Sequence, residues 1–583
     1  MNYHEIEQRA NVSVKNKEIA TLFYTIADAL EIKGEQVFKI LAYRKAARIL
    51  EDMTDPVETL AGEKKLGEIP GLGTGIVSKV EEYLSTGKMK KYEEALSGIP
   101  DGLLGLLDIP NLGPKTIKLA YEELGVENLD NLKDVIRSGR LAGLRGMGEK
   151  KVENIRKGIE LREKSQERIS IFEALTIAEE VIAYLGTAPG IGRVAPAGSL
   201  RRMKETIGDI DILAEGKKSA EIIRFFTLFP KVSRVISLGE TKGSVLISAD
   251  GGGRQVDLRL VDESEFGAAL QYFTGSKDHN IKLRGMAKDR GLKISEYGVF
   301  RGTKKIAGRE EEEVYAALGL PWIPPELRED RGEIELAVEK RLPKIVDYAG
   351  IRGDLHVHSD WSDGTQSLEE IASAAKALGY AYVAVCDHSQ SARYASGLTP
   401  ERLLRQMAEI DKLNGRLKGI KLLRGTEADI LADGRLDFAD GLLQKLDVVV
   451  ASVHSGFKKN VTARILRALE NPFVTTIGHP SGRLISGREG YDVDLDQVLE
   501  AARISGKGLE LNAYYDRLDL NEFYLKKARD RGIRIALGTD SHSANGLAMM
   551  RFGVGIARRA WLGDRDVLNT LPLARLLEVI KKR

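Results

Sequence analysis

The C-terminal part of the chain alternates short apolar runs with amphipathic stretches of helical length. The runs lie at 382–386, 421–423, 447–453, 474–478, 508–511 and 533–537 and are rich in Val, Ile and Leu. Short apolar runs separated by helices are typical of buried parallel strands in an α/β barrel. Polar residues follow these runs, and the C-terminal ends of barrel strands share one face. The pattern therefore predicts that these polar side chains converge.

The residues at these strand ends are mainly histidines and carboxylates, which are common metal ligands. The candidates are His356, His358, Asp363, His388, Glu427, His454, His479, Asp540 and His542. Six of the eight histidines in the chain occupy these positions, the others being His4 and His279, which favours a shared metal centre over separate hydrogen-bonded core histidines. Imidazole with carboxylate suits Zn²⁺, Mn²⁺ or Fe²⁺, and one ion takes about four to six ligands, which predicts two or three ions.

This order of ligands resembles the PHP (polymerase and histidinol phosphatase) family over residues 350 to 575. The resemblance implies a distorted (βα)7 barrel with a trinuclear metal centre that hydrolyses phosphoesters. Arg393, Lys458 and Arg483 lie near the ligand segments, and each is either a phosphate contact or a solvated surface charge.

The N-terminal region is helical by pattern and carries one phrase three times. A hydrophobic residue stands between two glycines at 69–73 and 144–148, and between Asn111 and Gly113 at 109–113; an amphipathic helix follows each phrase. Glycine lets backbone N–H groups at a helix N-terminus approach a phosphate closely. The phrase resembles the helix-hairpin-helix motif, which implies contact with the DNA backbone; alternatively the glycines only end helices. The candidate DNA contacts are Gly71, Gly73, Gly113, Gly146 and Gly148.

Residues 42–47 and 69–83 also resemble the N-terminal domain of X-family DNA polymerases of the polymerase-beta type. The family's lysine that forms a Schiff base with an abasic sugar matches Lys79, and a desolvated lysine can do that chemistry. A neighbouring family lysine is replaced by Gly75. Lys79 and Lys39 are therefore either lyase-related residues or simple phosphate contacts.

Beyond about residue 170 the pattern changes to α/β. Asp209 and Asp211 share one strand face by the period of two, and Asp257 lies on a later strand that follows a predicted hairpin turn at 250–253. If the two strands are neighbours, three carboxylates meet and require cations such as Mg²⁺. Two ions roughly 3.5–4 Å apart activate an attacking hydroxyl and stabilise leaving pyrophosphate. The other interpretation is a solvated strand face.

The glycine-serine phrase at 198–199 and the segment 272–284 extend the resemblance to X-family polymerases. The resemblance implies that Asp209, Asp211 and Asp257 bind two Mg²⁺ ions, and that Ser199, Arg202 and Gly208 hold the nucleotide's β and γ phosphates. It implies further that the sugar contacts Tyr272, Phe273 and Gly275, that the base contacts Asn280, and that the template contacts Arg284.

The composition of the whole chain indicates where the protein is located but says little about the chemistry that it performs. The net charge is only +2, so composition gives no nucleic-acid signal. Cys386 is the single cysteine, which fits a reducing cytosol and a core position. The sequence contains no apolar run of membrane-spanning length and no signal-peptide pattern at Met1. These features predict a cytoplasmic protein.

The order of the segments resembles a bacterial or archaeal X-family DNA polymerase with a C-terminal PHP domain. The predicted domains are a helical DNA-binding domain (1–85), helical fingers (86–170), an α/β nucleotidyltransferase palm and thumb (171–327), a linker (328–350) and the PHP domain (351–583). The resemblance implies a monomeric repair enzyme that uses deoxynucleoside triphosphates to fill short gaps in primer-template DNA, as in base excision repair. Its PHP domain, with two or three Mn²⁺ or Zn²⁺ ions, would act as a 3′–5′ exonuclease and process 3′ ends. The alternatives are a small-molecule phosphatase and a structural metal site.

Overall fold

The computed structural model describes residues 14–52, 57–69, 71–109, 112–166, 168–217, 219–249, 252–485, 487 and 489–581. His4 and positions 250–251 of the predicted hairpin turn lie outside the described residues. The predicted multidomain fold is confirmed, with a helical N-terminal region, an α/β palm and a seven-stranded parallel barrel.

Nine helices form the described N-terminal region. They are α1 (Val14–Lys33), α2 (Val37–Asp52), α3 (Val57–Gly62), α4 (Thr74–Thr86), α5 (Lys90–Leu96), α6 (Asp101–Leu104), α7 (Pro114–Leu124), α8 (Leu129–Arg137) and α9 (Glu149–Gln166). The apolar positions of α1 recur at helical spacing and bury Ile19, Phe23 and Ile26 against Ala46 and Leu50 of α2. A second core, around Leu106, Ile117 and Leu132, forms under α7 and α8.

The palm is built on a five-stranded sheet. Its elements are β1 (Ile169–Ser170), α10 (Ile171–Leu185), β2 (Ile191–Pro196), α11 (Gly198–Arg201), β3 (Thr206–Ile207), β4 (Ile210–Gly216), α12 (Ser219–Thr227), β5 (Val232–Leu238), β6 (Lys242–Ala249) and β7 (Gly252–Val261). The strand order is β2-β4-β7-β6-β5, and β4 runs parallel to β7. Strands β1 and β3 pair separately. This topology makes the two strands that carry the aspartates direct neighbours.

A smaller unit follows the palm. It contains α13 (Phe266–Thr274), α14 (Lys277–Asp289), β8 (Lys293–Ser295), β9 (Gly298–Arg301), β10 (Lys304–Ala307), α15 (Glu311–Ala317) and α16 (Glu333–Val338). The three strands form an antiparallel sheet. His279 is a hydrogen-bonded core residue here, with Nδ1 2.7 Å from Glu333 Oε1 and Nε2 3.0 Å from the Tyr315 hydroxyl. Ile334 and Ile345, from the segment expected to be a linker, are buried in the same core.

The barrel alternates strands and helices. Its elements are β11 (Gly353–Val357), α17 (Leu368–Ala377), β12 (Tyr382–Val385), α18 (Pro400–Asn414), β13 (Lys421–Asp429), α19 (Asp440–Leu443), β14 (Val448–Ser452), α20 (Val461–Leu469), β15 (Thr476–Ile477), α21 (Leu495–Ser505), β16 (Gly508–Asn512), α22 (Glu522–Asp530), β17 (Ile535–Gly538), α23 (Met550–Arg559) and α24 (Leu573–Lys581). The strands pair in chain order and in parallel. At the ends of β11 and β17, the N–H of His358 donates to the carbonyl of Ser541 (2.8 Å) and the N–H of Asp540 donates to that of His356 (2.9 Å). These two bonds join the first strand to the last.

The palm and the barrel share one hydrophobic core. Phe172 of α10 stacks on Tyr515 with ring centroids 4.5 Å apart and meets the ring of Phe552 edge-on at 6.0 Å. Arg483, a candidate phosphate contact, instead forms a bidentate ion pair with Glu205 of the palm at 3.0 and 2.7 Å. Because apolar burial is the main favourable term in folding, the shared core fixes the two domains together.

Replacing Phe552 by alanine tests this shared core. Phe552 is fully buried, so Phe552→Ala should destabilise the palm and barrel by about 3–5 kcal/mol through the cavity it leaves. Differential scanning calorimetry would detect the lowered unfolding midpoint. Phe523→Ala is the matched control, because Phe523 is exposed and its removal should change stability by about 0.5 kcal/mol or less. Equal shifts in the two variants would contradict the shared core.

Candidate active sites in the palm and the barrel

The palm aspartates meet on adjacent strands. Asp211 of β4 pairs in register with Asp257 of β7, and Asp209 stands two residues before Asp211. Burial and the negative charges of Asp209 and Asp257 raise the pKa of Asp211 to about 7. The carboxylate oxygens of such a cluster are the ligands that Mg²⁺ prefers.

One of these carboxylates already has a cationic partner that the sequence did not reveal. The ammonium of Lys242 lies 2.9 Å from Asp257 Oδ2, and the amide of Gln255 donates to Oδ1 at 2.9 Å. Burial alone would raise the pKa of Asp257, but the hydrogen bonds with Lys242 and Gln255 hold it below its ordinary value. Lys242 reaches Asp257 diagonally because β6 and β7 are antiparallel neighbours, with Lys242 opposite Arg259 and Ser244 opposite Asp257. Alternation along either strand does not specify this pairing.

The turn at 198–202 lies directly over the aspartates. Gly198 has a φ of +59°, and a Cβ at this position would overlap the carboxylate of Asp211, so both backbone geometry and space require glycine. Arg202, at the end of this turn, donates through Nη1 to the carbonyl of Thr274 at 2.6 Å. The turn, Asp211 and the end of α13 are therefore in direct contact.

The other residues expected to contact a nucleotide occupy the same region. Tyr272 and Phe273 lie at the end of α13 with ring centroids 5.2 Å apart, and Gly275 follows them with a φ of +69°. The Asn280 amide accepts from Gln271 and donates to the carbonyl of Tyr272, each at 2.7 Å, so it is already hydrogen-bonded within the protein. Gly208 lies on the turn between β3 and β4, and Arg284 donates through Nε to the carbonyl of Asn280 at 3.4 Å.

The barrel brings all nine candidate ligands to the C-terminal ends of its strands. They form three overlapping groups, within each of which the ligand atoms lie within 4.8 Å of one another: His358, Asp363, His388 and His542; His356, His358, Glu427 and Asp540; and His388, Glu427 and His454. His479 joins them through Nε2, which lies 3.0 Å from Glu427 Oε1. Overlap of the groups at His358, His388 and Glu427 is the arrangement expected of a site for more than one cation.

The ligand atoms of this cluster are better suited to binding metal ions than to hydrogen bonding with one another. Nε2 of His356 lies 3.1 Å from Nε2 of His358. Among the described residues, the buried atoms His358 Nδ1, His479 Nδ1 and Glu427 Oε2 have no hydrogen bond. Burial and the neighbouring His542 and His388 lower the pKa of His358 to about 3, which keeps its imidazole neutral. The neutral imidazole of His358 and the carboxylate of Glu427 are ligands suited to Zn²⁺ or Mn²⁺.

A further layer of carboxylates fixes the imidazole rings. Glu510 Oε1 lies 2.6 Å from His356 Nδ1, and Asp429 Oδ1 lies 2.7 Å from His454 Nδ1. A carboxylate at Nδ1 holds that nitrogen protonated and leaves Nε2 as the ligand atom. The prediction missed both residues, although alternation along a strand puts Asp429 on the face of Glu427 and Glu510 on that of Asn512.

The loop before Asp363 is held by a buried carboxylate, that of Asp387. Asp387 accepts hydrogen bonds from the N–H of Ser359 at 2.8 Å and from its hydroxyl at 2.5 Å, which fixes the loop that leads to Asp363. Cys386, the residue before it, is buried in the core as predicted, and burial raises the pKa of its thiol.

The glycine phrases begin helices at the surface. Gly73 and Gly113 are the N-caps of α4 and α7, and Gly146 and Gly148 precede α9. A Cβ at any of these four glycines would meet open space, and Gly71 has a φ of +96°. The first-turn N–H groups are therefore accessible to a phosphate. Nearby, Lys79 donates to the carbonyl of Gly75 at 2.7 Å and Lys39 pairs with Glu35 at 3.0 Å.

Three protein-family descriptions match the chain. The helix-hairpin-helix domain matches residues 14–89, the DNA polymerase beta thumb residues 269–329, and the PHP domain residues 354–514. Combined with the paired palm aspartates and the barrel cluster, they define a protein with a polymerase-beta-like nucleotidyltransferase unit joined to a PHP barrel.

Similarity to individual proteins identifies the family within this class. Over 571 residues the chain is 41% identical to the DNA polymerase/3′-5′ exonuclease PolX of Bacillus subtilis, covering 97% of this chain and 99% of that protein. The chain therefore belongs to the bacterial X-family DNA polymerases with a C-terminal PHP domain. It is also 27% identical to rat DNA polymerase lambda over 343 residues (54% and 56% of the two chains) and 29% identical to a probable phosphatase of Thermoanaerobacter sp. over 245 residues (40% and 94%).

Glu510→Gln tests the outer layer of the barrel site. Glutamine keeps the size of Glu510 but removes the charge that orients His356, so we expect the metal content and exonuclease rate to fall about 10- to 100-fold. Metal content is measured by inductively coupled plasma mass spectrometry, and primer extension should stay within about twofold. Unchanged metal content would contradict the orienting role. Glu500→Gln, on an exposed helix face of the same domain, is the matched control.

Proposed function

We propose that this protein fills short gaps in DNA by template-directed nucleotidyl transfer in the palm and removes 3′-terminal nucleotides or blocking groups in the barrel. The pairing of Asp211 with Asp257 across parallel strands, beneath the 198–202 turn, carries the first part of the proposal. The PolX relative, which is named for both activities, supports their presence on one chain.

The proposed domains are a DNA-binding domain at 1–85, fingers at 86–170, palm and thumb at 171–327, a linker at 328–350 and the PHP domain at 351–583. Gapped or primer-template DNA and deoxynucleoside triphosphates are the proposed partners of a monomeric, cytoplasmic enzyme. None of the described helices has the length and apolar character needed to cross a membrane. The glycine-capped helix ends support contact with the DNA backbone, and Lys79 and Lys39 are proposed as additional phosphate contacts.

In the palm, Asp209, Asp211 and Asp257 would hold two Mg²⁺ ions. Bound there, the ions supply charge neutralisation for an attacking 3′-hydroxyl and for leaving pyrophosphate. Gln255 orients Asp257, and the raised pKa of Asp211 reflects a carboxylate that favours a nearby cation. Ser199, Arg202 and Gly208 would bind the β and γ phosphates. Tyr272, Phe273 and Gly275 would contact the sugar, Asn280 the base and Arg284 the template.

In the barrel, the nine ligands from His356 to His542 would hold two or three Mn²⁺ or Zn²⁺ ions, which supply Lewis acidity for phosphoester hydrolysis. Glu510 and Asp429 orient two of the imidazoles. Asp387 holds the loop of Asp363. The protein's own contribution is thus a rigid set of ligands buried on a strand-end face.

The mouth of the barrel favours a DNA end over a small phosphomonoester. Tyr394 is 69% exposed, and its ring lies 6.1 Å from that of His388. An exposed aromatic ring beside a metal centre can stack on a terminal base, and such stacking is worth about 1–3 kcal/mol. Arg393, next to it, is exposed and lines a cleft of polar residues that could accommodate a phosphate. Similarity to a probable phosphatase supports the alternative, a small-molecule phosphatase.

The proposal is tested with a 5′-labelled primer on a one-nucleotide-gapped duplex and Mn²⁺, with and without deoxynucleotides. Asp257→Ala should abolish extension and leave shortening, because it removes a ligand of the palm ions only. His358→Ala should abolish shortening and leave extension. Loss of both activities in either variant would contradict two separate centres, and extension without any shortening by the intact protein would favour the alternative role of the barrel.

Tyr394→Ala separates the two substrates of the barrel. We expect hydrolysis of DNA 3′ ends to fall about 5- to 100-fold, as a lost base stack implies. Cleavage of p-nitrophenyl phosphate, which has no base to stack, should stay within about twofold. Equal effects on the two substrates would show that Tyr394 does not bind a base. Tyr394→Phe is the control, because it keeps the ring and removes only the hydroxyl.

A further inference from the structure

Helix α23 of the barrel contacts the end of the 198–202 turn of the palm. Arg559, the last residue of α23, donates through Nη1 to the carbonyl of Arg202 at 2.6 Å. Met203 follows with a φ of +56° and packs on Gly555 of the same helix so closely that a Cβ on Gly555 would overlap it. One face of α23 is therefore shaped to the end of the 198–202 turn.

A buried carboxylate extends this contact to the side chain of Arg202. Glu329 Oε1 accepts from Arg559 Nη1 at 2.9 Å and from Arg202 Nε at 3.1 Å, and Lys204 Nζ lies 3.5 Å away. Burial opposes ionisation of Glu329, but the guanidinium groups of Arg559 and Arg202 hold its pKa at about 2. Glu329 is therefore ionised at neutral pH and links the two arginines, one from each domain.

Arg559 is well suited to hold the turn in one conformation. Its side chain is 1% exposed and also pairs with Glu522 of the barrel, so its guanidinium is fixed before it reaches the palm. A charged donor to a buried carbonyl is a strong hydrogen bond, and its loss leaves that carbonyl unsatisfied. Within the turn, the N–H of Lys204 donates to the carbonyl of Ser199 at 3.1 Å, so displacement at residues 202–204 reaches Ser199 directly.

We propose that Arg559 of the barrel is a positioning residue for the nucleotide site of the palm, because it fixes the backbone of Arg202 and shares Glu329 with the Arg202 side chain. The inference rests on the proposed role of Ser199 and Arg202 in binding the triphosphate. It adds that the polymerase site is complete only when the barrel is docked. Arg559 itself touches no nucleotide in this arrangement.

Another arginine of the same helix provides a matched comparison. Arg551 also crosses from the barrel to the palm, where it pairs with Glu179 at 2.9 Å. Glu179 lies on α10, and none of the polar contacts recorded for Arg551 in the described part of the chain reaches the 198–202 turn. A merely adhesive role for interdomain arginines predicts similar effects of Arg551 and Arg559 on nucleotide binding, whereas positioning predicts an effect of Arg559 alone.

The test uses the full chain and steady-state gap filling over a range of deoxynucleotide concentrations. Arg559→Ala should raise KM for the nucleotide about tenfold or more, with a smaller change in kcat, because the turn loses its fixed geometry. Exonuclease activity should stay within about twofold. Arg559→Lys should recover part of the loss, and Arg551→Ala should leave both activities within about twofold.

Glu329→Gln provides a second variant with less risk to folding, because it keeps the shape of the shared carboxylate while removing its charge. It too should raise KM. Unchanged KM in both Arg559→Ala and Glu329→Gln would overturn the inference, as would parallel loss of extension and exonuclease activity in both. If the unsubstituted protein extends no primer, the proposed function fails and the inference with it; normal extension with unaffected variants overturns the inference alone.

Discussion

Both centres depend on strand register that holds mutually unfavourable groups together. Parallel pairing of β4 with β7 sets Asp211 beside Asp257, and neither backbone can retreat from the repulsion without breaking its sheet. In the barrel, the two-residue spacing of His356 and His358 at the end of β11 brings their Nε2 atoms to 3.1 Å. Backbone hydrogen bonds are too numerous for these side chains to disrupt, so cations are what relieve each cluster. The carboxylates of Glu510 and Asp429 then fix the orientation of the His356 and His454 rings.

Much of this design could be predicted because it is local in sequence. His388, Glu427, His454, His479, Asp540 and His542 follow apolar runs, and the period of two placed Asp209 and Asp211 on one face without knowledge of the fold. The functional residues that the sequence analysis missed are not marked by a local pattern of this kind. Glu510 lies inside a run that was treated as uniformly buried. Lys242 and Arg559 act across pairings that only the folded chain creates, the latter 357 residues away from its partner Arg202. The ion pair of Arg483 with Glu205 was likewise hidden from local patterns, because the two residues lie 278 positions apart.

The shared core of palm and barrel holds the two centres in a fixed relation to each other. Phe172 and Phe552 hold the domains in contact, and the adjacent surface places Arg559 against the 198–202 turn. Close-packed interiors transmit displacement instead of absorbing it. On the proposed role of Arg559, a rigid interface would serve the polymerase site by fixing the 198–202 turn. The exonuclease site gains nothing from that rigidity beyond its own strands, since its ligands all come from the barrel.

The near-zero net charge is compatible with DNA binding once the positions of the charges are considered. Many arginines are used in ion pairs between domains, as Arg483 with Glu205 and Arg558 with Glu326. At the glycine phrases, the groups that face solvent are backbone N–H groups at the starts of α4 and α7, which are partially positive without adding formal charge. Such helix ends act within a few ångströms, whereas a net-charge count reports the long-range field. A chain of net charge +2 can therefore hold a DNA backbone through geometry.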